Sequence, residues 1–243
     1  MNLDISENLK LQRFTWDVVD ANTYMIFEQG KALVIDPVDS PELYDSLEHV
    51  EEIDIILTHC HFDHISGLNH IRKTGTDLHV IATSTCSKNI GSIYRNMSSA
   101  ADAFLSFYNQ KRGKEYDNDS LINSIDSFIC EPADVVFDDT FEFVWNNHVI
   151  RLIRCYGHSD DSLIALFDDK YLFSGDTLLN IPTATRFLGG STSRFWKEDY
   201  PLLTKLSSSV EMVFPGHGDY GRIDDMLSVN VMPERFSNKK QIQ

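Results

Sequence analysis

The stretch Ile53-Asp54-Ile55-Ile56-Leu57-Thr58-His59-Cys60-His61-Phe62-Asp63-His64 decides the reading of this chain. Its first five residues form a short, nearly all-apolar run, the pattern of a strand buried in a sheet. Directly behind it, three histidines and an aspartate fall within six residues. A tight loop after a buried strand aims alternate side chains, His59 and His61, at one point. Asp63 and His64, at the start of the following helix, aim at a second point nearby. Neutral imidazole and carboxylate are the donors that borderline divalent ions such as Zn²⁺ prefer. Cys60 lies between two of these donors, points away from both targets, and reads as a packing residue.

Outward from this motif, the first half of the chain alternates strands and helices. Residues 24–27 and 32–35 read as strands joined by a turn at Gln29-Gly30. Ser40 before Pro41 marks a helix start, with the helix running to about Val50. Ile65, Leu68 and Ile71 share a helix face, and residues 78–81 form another strand. Residues 84–127 change character: helical spacing with a polar interruption at 113–120 predicts a helical insertion or lid. Tyr94, Phe104, Phe107 and Tyr108 in it are candidate pocket walls. Strands resume at 135–137, 141–145, 149–155, 163–167 and 171–174, followed by a helix at 196–206 and a last strand at 211–214. Two β-rich halves flanking an insertion point to a two-sheet sandwich, read as a single domain over 1–243.

Three further donors stand in similar surroundings. His158 sits in Cys155-Tyr156-Gly157-His158-Ser159, Asp176 in Phe173-Ser174-Gly175-Asp176-Thr177, and His217 in Phe214-Pro215-Gly216-His217-Gly218. Each follows a predicted strand behind a glycine that lets the backbone turn. Loops at strand ends converge on one edge of a sheet, so the repetition favours ligation over three separate structural roles.

With these residues in place the chain resembles the metallo-β-lactamase-fold superfamily over about residues 20–220. The resemblance is carried by His59-x-His61-x-Asp63-His64, then His158, Asp176 and His217, with Asp36 of Val34-Ile35-Asp36-Pro37 matching an early aspartate. It implies an α/β (α+β) fold, a four-layer αββα sandwich with metals at one edge. By the same resemblance His59, His61 and His158 hold one metal, Asp63, His64 and His217 hold a second, and Asp176 bridges them. Asp36 stands behind the ligands and orients one of them. Aspartate at 176 places the chain beside glyoxalase II, lactonases and thioesterase-like members. Only 26 residues follow His217, where glyoxalase II carries a helical domain that supplies glutathione contacts, so glutathione thioesters are not the expected substrate, and a nuclease, which would need an extra domain, is disfavoured.

Such a site implies a hydrolase using a metal-bridging hydroxide on a small ester, thioester, lactone or phosphoester. Asp63 and Asp176 are the catalytic candidates, with Asp63 able to relay a proton. Two divalent ions are expected, zinc first and iron or manganese as alternatives. Arg186 and Arg194, in the loop after Asp176, are candidates for pairing with an anionic substrate group. Two other readings stay open: a mononuclear iron oxidoreductase like the persulfide dioxygenases, and a non-catalytic regulatory or binding protein that retains the site.

Composition narrows the partners. Twenty-one basic against 37 acidic side chains give a net charge of −16, which repels phosphate backbones and anionic membranes. A small-molecule substrate is expected, with no nucleic acid and no membrane partner, and a homodimer is compatible. Residues 1–16 lack a basic segment followed by an apolar one, and no stretch approaches the ~20 apolar residues of a membrane helix. Four dispersed cysteines without CxxC spacing fit a reducing compartment, and the cytoplasm is the expected location.

Overall fold

Twelve strands among the described residues pair into two sheets, and the order of their ends places the donors. The structure, a computed structural model, describes residues 2–6, 9–112, 128–231 and 233. The first sheet runs in chain order: β1 (Asn2–Ser6), β2 (Leu9–Trp16), β3 (Ala21–Glu28), β4 (Lys31–Ile35), β5 (Glu52–Ile56), β6 (Asp77–Thr83) and β7 (Val135–Phe137). Strands β1 to β4 form an antiparallel meander, whereas β4 to β7 are parallel. Parallel neighbours need crossovers. These carry α1 (Pro41–Leu47), then α2 (Phe62–Ile65) and α3 (Leu68–Arg72), then α4 (Ser84–Asn89) and α5 (Ala101–Arg112).

The second sheet has the order β12-β11-β10-β9-β8, with β8 (Thr140–Trp145), β9 (His148–Arg154), β10 (Leu163–Phe167), β11 (Tyr171–Gly175) and β12 (Met212–Pro215). All pairs are antiparallel except β11 with β12. Their crossover contains α6 (Thr192–Arg194), a π turn (Phe195–Asp199) and α7 (Tyr200–Leu206), and α8 (Ile223–Ser228) follows β12.

The period of two along each strand sorts side chains into layers. In β4, Ala32 and Val34 face α1 and α3, while Leu33 and Ile35 meet Phe167, Phe173 and Phe214 between the sheets. On the far face of the second sheet, Ile164, Leu166 and Val213 pack on Leu203 of α7 and Met226 of α8. The result is the expected α/β arrangement of helix, sheet, sheet, helix.

Strands β4, β5, β9, β11 and β12 all end at one edge, and there the sheets are stitched together. The Asn22 amide donates to Gly216 O at 2.7 Å, Leu163 N to Thr58 O at 2.7 Å, and the Tyr24 hydroxyl to Pro215 O at 2.9 Å. The loops bearing every candidate donor are therefore fixed to one another through backbone groups.

Several boundaries differ from expectation. The strands β1 and β2 and the helix α8 carry no strong pattern and were not anticipated. The helix expected across Ile65 to Ile71 is two pieces, because Gly67 lies against the Val38 carbonyl where a Cβ would collide, and its amide donates to Pro37 O at 2.8 Å. The helix from Pro41 ends at Leu47 rather than Val50. The helix expected from Trp196 starts four residues earlier through the π turn. In the 84–127 segment α4 and α5 are helical as expected, and the polar interruption at 113–120 lies outside the described residues. No helix among the described residues is long and apolar enough to cross a membrane.

Candidate metal centre

The seven donors expected from the sequence converge at the shared edge. His59, His61 and His158 form one group, and Asp63, His64 and His217 another. In the first group His59 Nε2 lies 3.0 Å from His61 Nδ1, which lies 3.2 Å from His158 Nε2. A tetrahedral ion with Zn–N distances of ~2.0–2.1 Å spaces its nitrogens ~3.4 Å apart, so this set needs only a small expansion to hold one. In the second group His217 Nε2 is 3.3 Å and His64 Nε2 3.8 Å from Asp63 Oδ2.

Asp176 lies between the groups. Its Oδ2 is 3.5 Å from His158 Nε2 and 3.7 Å from His217 Nε2, and its Oδ1 is 3.6 Å from His64 Nε2. Gly216 makes room for this carboxylate: a Cβ there would lie 2.5 Å from Asp176 Oδ1 and 2.7 Å from the His64 ring. Both His64 Nε2 and Asp176 Oδ1 are buried without a hydrogen-bond partner. A buried polar atom left unsatisfied is costly, and a cation between these donors removes that cost. The donor set thus fits two divalent ions.

Partners behind the ligands decide which nitrogen each ring presents. His158 Nδ1 donates to Ala184 O at 2.7 Å and His217 Nδ1 to Asp20 O at 3.1 Å. His64 Nδ1 pairs with Asp36 Oδ2 at 3.0 Å, and His59 Nδ1 lies 3.0 Å from Thr58 Oγ1. The Thr58 hydroxyl and amide both donate to Asp36, so that hydroxyl accepts from His59. In all four rings Nδ1 is engaged by a partner behind the site and Nε2 is the nitrogen that faces the centre. His61 is the exception, presenting Nδ1. Asp36, His59 and His64 also approach one another closely, but the atoms involved are committed to this hydrogen-bond network. Asp36 holds its place with φ +53°, a left-handed turn that aspartate tolerates.

Charge separates the two groups. Burial, aided by His158, lowers His61 to about 4, and burial with the neighbouring rings also pushes His59 well down, so both are neutral imidazoles at ordinary pH. Burial opposes charge on His64, yet Asp63, Asp176 and Asp36 lift it to about 10. Burial would raise the Asp63 carboxyl, but His64 and His217 outweigh it and hold it below the ordinary range. The second group is a well of negative potential in which a metal ion competes with protons.

The sequence reading did not single out Thr58, Phe187 or Asp199. Phe187 meets the His61 ring edge-on at 5.6 Å and the His158 ring at 5.1 Å, and its amide donates to His158 O at 2.8 Å. Asp199 accepts from the amides of Tyr156 at 3.0 Å and Gly157 at 2.7 Å, clamping the turn before His158. Burial raises its carboxyl to about 6. Phe187 and Asp199 act on residues far along the chain, so no local motif marks them, and Thr58, though next to His59, takes its role from Asp36, 22 residues earlier.

The expected substrate contacts fare unevenly. Phe104 lines the cavity beside the centre, but Tyr94 is 75% and Phe107 60% exposed and neither lines it. The Tyr108 side chain lies outside the described residues. Arg186 and Arg194 are also absent from that wall. Arg194 is instead held by Glu198 in two hydrogen bonds of 2.6 and 2.7 Å and lies over the Tyr156 ring, and Arg186 is exposed with φ +81°. Cys60 is fully buried in the core beside α3 and α4, as expected of a packing residue.

The description "Metallo-beta-lactamase superfamily" matches residues 16–217, and the chain belongs to that superfamily. It is similar in fold to the B3 metallo-β-lactamase BLEG-1, at 21% identity and a TM-score of 0.69, covering 90% of this chain and 97% of that one. ETHE1 from Myxococcus xanthus is similar at 22% identity and a TM-score of 0.59, over 88% and 80% of the two chains. The archaeal superfamily protein ST1585 from Sulfolobus tokodaii follows at 18% identity and 0.60, over 90% and 83%. No curated protein matches the chain in sequence.

Proposed function

We propose that this protein is a dinuclear metal-dependent hydrolase acting on a small ester, thioester, lactone or phosphoester. The observation that carries the reading is Asp176, whose two oxygens reach ligands of both donor groups at 3.5–3.7 Å. His59, His61 and His158 hold the first ion, Asp63, His64 and His217 the second, and Asp176 reaches both. Zinc suits the nitrogen-rich first group best. When bound, two such ions would supply a water of lowered pKa and would polarise the substrate's carbonyl or phosphoryl oxygen.

The chain's own groups do the rest. Asp36 and Thr58 set His59 and His64 in one tautomer, so the donors meet an ion without rearrangement. Asp63 keeps an ionised carboxylate at the mouth, held so by His64 and His217, and is positioned to ligate an ion and relay a proton. Phe187 packs against the His61 and His158 rings, which are only 7% and 3% exposed, and limits the access of bulk water to them. A mononuclear iron oxidoreductase would need two histidines and one carboxylate, which the first group and Asp176 could supply; the unpartnered His64 Nε2 of the second group favours the two-ion reading.

The test is elemental analysis of purified protein alongside turnover of a panel of esters and thioesters. About two metal equivalents per chain are expected, with activity lost on strong chelation and restored by zinc. Activity that survives chelation, or a single tightly held iron with oxygen uptake, would sink the reading.

A further inference from the structure

Beside the donors lies a cavity of about 190 Å³ whose wall is apolar except where the donors themselves line it. Phe62, Met97 and Phe104 form one side, and Leu179, Ile181 and Phe187 the other. Its polar lining consists of the candidate ligands His61, Asp63, His158, Asp176 and His217. Among the described residues no lysine or arginine lines it; Arg186, next to Phe187 in the chain, is exposed and is not part of the wall, and Arg154 and Arg194 are engaged elsewhere. Arg154 donates to Asp160 O and Thr85, and Arg194 to Glu198.

The side bearing Phe104 is firmly seated. Phe62 packs on Phe104 and Phe128 at ring separations of 6.3 and 5.5 Å, and Leu105 of α5 is buried with Trp16 and Val19. The cavity is therefore a formed feature of the fold. An apolar cavity of ~150 Å³ admits benzene, so this one takes a group of about six or seven carbons.

We propose that this cavity is an acyl pocket: it receives the uncharged, phenyl-sized or straight-chain apolar group of a small ester, thioester or lactone, and it discriminates against substrates with an anionic tail. This inference rests on the hydrolase reading for its reaction, and it narrows that reading away from phosphoesters and from substrates that need a cation. The scissile carbonyl lies against the donors while the acyl group fills the space between Phe104 and Phe187. A carboxylate at the far end of that group would be buried against the apolar wall without a counter-ion.

The experiment uses the zinc-loaded full chain and two probe series. The first is p-nitrophenyl esters from acetate to decanoate, together with the glutarate monoester as the charged counterpart of the hexanoate. The second is the corresponding hydroxamic acids, whose binding is followed by titration calorimetry without any turnover. Both kcat/KM and affinity should rise about fourfold per buried methylene up to roughly hexanoyl, then fall as longer chains overfill the space. The glutaryl probe should lie more than ~10-fold below hexanoyl. Phe104→Ala should move the optimum to longer chains; Met97→Ala, with melting temperatures measured alongside, guards against a folding defect in the first variant. Lys111, Arg112 and Lys114 lie outside the described side chains, and the glutaryl probe tests them too.

A flat length series in both measurements, or glutaryl equal to hexanoyl, overturns the proposal. Ester turnover without length dependence overturns it while leaving the hydrolase reading intact. Length-dependent hydroxamate binding with no ester turned over supports the pocket and removes the hydrolase reading.

Discussion

The two donor groups lie side by side yet are built from different chemistry. His59, His61 and His158 are buried imidazoles, each seated among other rings. Asp63 and His217 have side chains 15% and 17% exposed, and their group carries a carboxylate of its own. The first group can hold an ion only by geometry, with nitrogens aimed from behind. The second adds Coulomb attraction but stands nearer to water and to competing protons. Graded chelation should therefore strip one ion from the second group before the first.

The largest expected effect breaks the first group. His61→Ala should abolish tight binding of one ion and lower kcat/KM by more than ~10³-fold. Elemental analysis with ester kinetics checks this, and unchanged metal content contradicts the assignment. Asp63→Ala should leave one ion bound and reduce kcat/KM by about 10²–10³-fold. If both ions leave together, the two groups are not separable as described.

Asp36→Asn addresses both groups at once, because Asp36 touches His64 directly and His59 through Thr58. A loss of about 10–100-fold in metal affinity is expected, measured by competition with a chromogenic chelator. A loss confined to one ion would show that the Thr58 relay does not matter.

The smallest effect is a pH dependence behind the first group. Asp199 is raised from 3.8 to about 6 by burial. Its neutral form is thus favoured in the folded state, giving a stabilising contribution that is complete below pH ~4 and lost as pH rises through 6. Asp199→Asn removes that dependence. Relative to wild type, the variant should gain about 2 kcal/mol between pH 4 and pH 7 in urea unfolding. A constant difference across that range would contradict the raised pKa.

The legible parts were those where one side chain type has one use. Histidine and aspartate at strand ends marked all seven donors, and the apolar run 53–57 marked the central strand. Asp36 was legible only through resemblance, because an aspartate before proline is also an ordinary turn residue. Arg186 and Arg194 were misleading for the opposite reason: a cation near a metal loop suggests an anion, and nothing local shows that Arg194 already has Glu198 as its partner. Tyr94 and Phe107 share helical spacing with Phe104, but spacing does not say which face meets the cavity.

The cluster from His59 to His64, with its later partners, was determined by the sequence alone, because ligand chemistry restricts residue type at each position and strand ends recur at readable intervals. Which ring nitrogen faces inward, how Asp176 spans both groups and how the cavity is walled were decided only by tertiary structure. Those properties arise from contacts between residues 20 to more than 150 positions apart, such as His64 with Asp36 and His217 with Asp63. Distance along the chain carries no record of them; packing at the shared edge of the two sheets does.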